Sequence, residues 1–164
     1  MHEDAPRSDR SGEVMPVEFI DAGLDAYWST TLASATGIAR PPFSPAVRVV
    51  GAMLFTSGQT YPVVGETDPP PPAEVSLADQ TRACLLNLER IVVAAGGART
   101  DIVSLTIHNT RMSDQDAVNA VYTKFFGDHR PARTHVEVRR LADPHLLIEI
   151  TAVAALDDSS RQSS

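Results

Sequence analysis

The sequence predicts an α+β domain of two layers, with two helices packed on one face of a single sheet, and three observations lead there. Two segments, 77–92 and 113–126, carry apolar stripes at helical spacing. Stretches at 46–57, 102–109, 133–140 and 146–154 read as strands. Their order is strand, strand, helix, strand, helix, strand, strand. Both helices then cover the same face and leave the other bare. Within one chain only the segment 18–33 remains to cover it, so the reading is a homo-oligomer whose sheets or edges cover one another.

Residues 1–15 and 157–164 are polar, lack an apolar period and are expected to be disordered tails. An N-terminal extension, 16–40, holds Ile20, Leu24, Tyr27, Trp28 and Leu32 at helical spacing, which predicts a short helix before Pro41-Pro42 extends the chain. The residues 46–57, AVRVVGAMLFTS, predict two short strands around Gly51. The loop that follows contains the stiff run Pro69–Pro72. Ser76 is placed to cap a helix with Leu77, Cys84, Leu85, Leu88, Ile91 and Val92 on one face, and Gly96-Gly97 to end it. In 102–109, Val103, Leu105 and Ile107 face one way and Ser104, Thr106 and His108 the other. Ser113 is read as the cap of the second helix, with Val118, Val121, Tyr122 and Phe125 inward and Gly127 stopping it. The strands 133–140 and 146–154 are read as a hairpin through Ala142-Asp143-Pro144.

A length of 164 residues suits one domain, and 43% hydrophobic with 21% charged residues is a globular composition. The apolar runs fall short of the about 18 residues a membrane span needs. Acidic Glu3, Asp4 and Asp9 replace the apolar core of a secretion signal, so a cytoplasmic location is expected. The one cysteine, Cys84, excludes an internal disulfide and is read as core packing. A net charge of -7 opposes nucleic-acid binding, and the basic pairs Arg130/Arg133 and Arg139/Arg140 are too few for a phosphate-binding face. Among the five histidines no helical i, i+4 pair occurs, so no metal is expected. Gly96-Gly97 lacks the lysine of a phosphate loop, and Ser57-Gly58-Gln59 lacks the glycine that precedes the serine of a nucleophile elbow.

Two residues carry candidate chemistry. Glu149 interrupts the apolar run Leu146-Leu147-Ile148-Glu149-Ile150, so either it needs a cation, a water or a substrate, or its side of the strand faces solvent beside Thr151. Arg133 opens a strand just after Pro131; it is either a fork for a carboxylate or an ordinary strand-end cation. If the hairpin pivots on Asp143, Arg133 lies opposite Val153, and Glu149 is four residues along the same face, about 13 Å away. A molecule of three or four carbons then meets both only if they come from different subunits, or if the register differs.

These segments together closely resemble the RidA (YjgF) family. The matching blocks are Ser44–Gly51, Leu54–Gln59, Gln80-Thr81-Arg82 with Asn87-Leu88, Ala94–Gly97, Val118–Tyr122 with Phe125-Phe126, Pro131–Thr134 with Val136–Val138, and Ile148–Ile150 with Ala152. Residues 41–156 are thereby marked as a RidA-like domain, and 1–40 have no counterpart. The resemblance implies a chorismate-mutase-like fold, a homotrimer with clefts between subunits, and hydrolysis of enamine/imine intermediates such as 2-aminoacrylate to 2-oxo acids and ammonia without metal or cofactor. It implies that Arg133 binds the substrate carboxylate, that Glu149 positions or activates the attacking water, that Ser57 and Asn119 line or support the pocket, that the backbone at His135 contacts the substrate, and that Phe43 lies in a pocket-lining segment. The enamine tautomerises to an imine, whose carbon needs only an oriented water and proton movement.

Departures bear on substrate range. Phe43 stands where many members have Tyr, His135 where several have Cys, and Thr151 where a second Glu is common, while the loop 62–75 is unusually rich in proline. Three alternatives to a general imine deaminase follow. One is a non-catalytic metabolite sensor that keeps the carboxylate pocket. Another is the ribonuclease activity ascribed to some relatives, which the acidic charge opposes. The last is a pathway-specific deaminase acting on a larger intermediate.

Overall fold

Residues 17–27, 29 and 40–156 are described in a computed structural model and run β1 (Val17–Ile20), α1 (Leu24–Tyr27), β2 (Ala46–Val49), β3 (Ala52–Phe55), α2 (Leu77–Ala94), β4 (Ile102–Asn109), α3 (Gln115–Phe126), β5 (Ala132–Glu137) and β6 (Ile148–Leu156). The expected tails lie outside these residues.

Local chemistry sets the two long helices. At the start of α2 the Ser76 hydroxyl accepts from the Asp79 amide at 3.1 Å, a cap worth about 1 kcal/mol. The helix buries Leu77, Cys84, Leu85, Leu88 and Val92. It ends where Gly96 takes φ +90°, a left-handed conformation costly for other residues, and the Gly97 amide returns to the Val92 carbonyl at 2.9 Å. In α3 the buried Val118, Tyr122 and Phe126 recur every four residues, and Gly127 ends it at φ 59°. Ser113 does not cap this helix. A 3₁₀ turn, Met112–Asp114, precedes α3, and the Ser113 hydroxyl donates to Asp114 instead.

The main sheet has the order β3-β6-β4-β5. β6 is antiparallel to both β3 and β4, whereas β5 runs parallel to β4, to which α3 connects it. Leu105 and Ile107 of β4 and Ile148, Ile150, Ala152 and Ala154 of β6 share one face, and with the α2 and α3 stripes they form a single core. Both long helices therefore cover one face, as expected for this α+β class. The other face carries Ser104, Thr106, His108, Glu149, Thr151 and Val153, and Phe55 of β3 lies beside Val153 at 74% exposure. Cys84 is fully buried, as expected, with its thiol on the Ile148 carbonyl at 3.8 Å; burial raises its pKa to about 12.

Three expectations need correction. Val17–Ile20 is a strand, not the start of a helix: β-branched and aromatic residues there pair antiparallel with β2, and Glu18 meets Arg48 at 3.5 Å. Among the described residues the α-helix runs Leu24–Tyr27, and Trp28 and Leu32 fall outside them. This β1-β2 pair is a second sheet, so the single sheet becomes two. Lastly, β5 and β6 do not form a hairpin. β4 lies between them, because the β4-α3-β5 crossover pairs β5 in parallel with β4 and leaves β6 the other edge of β4.

Candidate active site

Arg133 is positioned by three pieces of chain. The segment before β2 crosses the start of β5: the Ser44 amide donates to the Pro131 carbonyl at 3.2 Å, and its hydroxyl to the Arg130 carbonyl at 2.5 Å. This lays Phe43 beside the guanidinium, whose carbon is 5.1 Å from the ring centroid. From α3, one turn apart, Asn119 Oδ1 accepts from Arg133 Nη1 at 2.9 Å and the Tyr122 ring lies 4.8 Å from the guanidinium. Two aromatic faces and one neutral acceptor therefore hold the cation. Among the described residues no carboxylate pairs with it. Burial lowers its pKa from the ordinary value, opposed by Tyr122, but an arginine stays charged. A half-buried guanidinium without a carboxylate partner is chemically suited to an anion.

His135 lies two residues further along β5 on the same face, and its Nε2 is 3.3 Å from Asn109 Nδ2. Burial first, then the Arg133 charge, lower its pKa to about 4, so the ring is neutral at pH 7.

Glu149 belongs to the other side of the sheet. In the shared register Arg133 and Ala152 both oppose Leu105, while Glu149 and Val136 both oppose His108. Leu105 is buried under the helices and His108 alternates away from them, so Arg133 and Glu149 point to opposite faces. The expected pairing of Arg133 with Val153, on one face with Glu149, is replaced by this register. The Glu149 side chain lies over Gly58, where an added Cβ would overlap the carboxyl group. Gly58 and its neighbour Ser57 are exposed, and Gln59 beside them exchanges two hydrogen bonds with Ile150, at 2.8 and 3.0 Å.

Of the six candidate residues, Phe43, Asn119, Arg133 and His135 gather on the helix side, Glu149 lies on the opposite side, and Ser57 is exposed next to the Gly58 that Glu149 overlies. Sequence reasoning missed Tyr122, taken only as core, and Gly58. It also missed Asn109, fully buried, whose place in the alternation Val103, Leu105, Ile107 is itself the signal for a buried polar side chain. Among the described residues no three His, Cys, Asp or Glu side chains cluster as metal ligands do, and no helix is long and apolar enough to cross a membrane.

Residues 35–156 match the family model described as endoribonuclease L-PSP. The chain is 43% identical over 110 residues to the 2-iminobutanoate/2-iminopropanoate deaminase of Escherichia coli K12, over 64% of this chain and 80% of that protein. It is likewise 43% identical over 110 residues to TdcF of the same strain, over 63% of this chain and 81% of TdcF. The crystal structure of E. coli TdcF with bound serine superposes with a TM-score of 0.58 and 37% identity, over 71% of this chain and 90% of that one. With most of the chain matched by the family model and close to four-fifths of each relative covered, the chain belongs to the endoribonuclease L-PSP family, the family also known as RidA or YjgF.

Proposed function

We propose that the protein is a deaminase of reactive enamine/imine intermediates, converting 2-aminoacrylate-like compounds to 2-oxo acids and ammonia. Arg133 holds the substrate carboxylate. Glu149 of a neighbouring subunit orients a water, whose oxygen attacks the imine carbon while its protons pass to nitrogen; the C–N bond then breaks and ammonia leaves. Ser57, Phe43, Asn119 and His135 line or support the pocket.

The observation that carries this reading is the Arg133 guanidinium, held by Asn119, Phe43 and Tyr122 with no carboxylate partner among the described residues. Two findings on relatives support it: one relative is named for 2-imino acid deamination, and the TdcF structure holds serine, a small carboxylate. Assembly as a homotrimer is the arrangement that lets the two groups meet across an interface. The sheet face away from the long helices, with exposed Met53, Phe55 and Val136, supplies apolar surface for it. The net charge of -7 speaks against the RNA cleavage implied by the family's name.

The test is hydrolysis of an imine released by an amino-acid oxidase, followed as lost semicarbazone. Faster ammonia release with the wild-type protein than with Arg133→Ala supports the reading, and equal rates overturn it.

A further inference from the structure

The imidazole of His135 is fixed in one protonation and one tautomer by a chain of hydrogen bonds. Asn109 Oδ1 accepts from the Arg111 backbone amide at 2.8 Å, which sets the orientation of the buried Asn109 amide. Its Nδ2, which can only donate, then faces His135 Nε2 at 3.3 Å. That nitrogen must accept through its lone pair, so the ring is neutral and its hydrogen is on Nδ1. Among the described residues nothing accepts from Nδ1. Arg133 and His135 pair with Leu105 and Ile107 respectively, so both project on the same face with Cα atoms about 7 Å apart.

We propose that the His135 Nδ1–H is a fixed hydrogen-bond donor for a second acceptor on the substrate, making this a specificity residue: the site favours imines whose side chains carry a carboxamide or hydroxyl oxygen over purely aliphatic ones. This deepens the deaminase reading and rests on Arg133 taking the carboxylate. With its lone pair held by Asn109, the ring offers an N–H but no base, so its role is recognition rather than proton transfer. Burial and the nearby Arg133 charge keep it neutral at pH 7. An unmet acceptor on the substrate, or an unmet N–H on the protein, is what discriminates between the two substrate classes.

The experiment compares oxidase-generated imines of glutamine and leucine. The wild type should prefer the glutamine imine, and His135→Leu should lose at least about tenfold more kcat/KM on that imine than on the leucine imine, while His135→Gln keeps the preference. Equal losses on both imines, or none on either, would overturn the proposal. Nitrogen-15 NMR of the wild type should show the Nδ1–H tautomer; the Nε2–H form would also overturn it. If the wild type hydrolyses neither imine, the deaminase reading fails by itself. Calorimetry with 2-oxoglutaramate and 4-methyl-2-oxopentanoate then decides the matter, because wild type should bind the amide more tightly and His135→Leu should not. Equal binding by the wild type contradicts the proposal.

Discussion

Arg133 and Glu149 face away from each other across a single sheet. They sit on the two strands that flank β4, at the level of Leu105 and His108 respectively, with opposite side-chain parity. Two strand spacings separate them laterally by about 10 Å, and the sheet itself stands between their side chains. No small substrate reaches both within one chain. A mechanism that uses both requires a second copy to bring a Glu149 to this Arg133.

Loss of Arg133 should separate function from stability. Arg133→Ala is expected to lower kcat/KM by about a hundredfold or more, and Arg133→Lys to recover only part of it, since an ammonium cannot reproduce the bidentate fork. Thermal melting should show Tm unchanged or raised, because the half-buried cation has no carboxylate partner to lose. A cooperative fold with impaired turnover is the expected pair of results, and a large fall in Tm would mean that the residue is structural.

Gly58→Ala should act through Glu149. The added methyl overlaps the Glu149 carboxyl group, while Gly58 is exposed and its φ is unremarkable, so the side chain must move rather than the fold. The expectation is a fall of about tenfold or more in kcat with little change in KM. Steady-state kinetics on one imine, with Tm measured alongside, checks it.

The histidine gives a pH dependence of stability. His135 has an ordinary pKa of 6.5 that folding lowers to about 4. Between those values the unfolded chain binds more protons, so stability rises with pH across the window and is lost as pH falls from 6.5 towards 4. His129, also lowered by burial, acts with the same sign. Melting curves through this range should show a steeper fall in Tm for the wild type than for His135→Gln, and parallel slopes would contradict the assignment.

Much of the architecture was legible because it is local. Ser76, the Leu77–Val92 stripe and Gly96 specify α2 within one segment, and the alternation in 102–109 specifies β4 and its buried face. The partners of Arg133 were not legible in the same way. Phe43 reaches it from a distant segment and Tyr122 from a helix whose apolar stripe hides its second role. The hairpin reading failed for the same reason: Ala142-Asp143-Pro144 looks like a turn between neighbouring strands, but the parallel β4-α3-β5 crossover had already placed β4 between them. With Glu149, the pattern could name the residue but not its face, because that depends on which strand lies beside it.

The central claim is that a working site takes Arg133 from one copy and Glu149 from another, and subunit mixing tests it most directly. Arg133→Ala and Glu149→Gln, each inactive alone, are unfolded and refolded together. Random reassembly should restore about a quarter of the wild-type sites, since each shared interface then has one chance in four of combining an intact Arg133 with an intact Glu149. No recovery from a mixture that demonstrably co-assembles would contradict the claim.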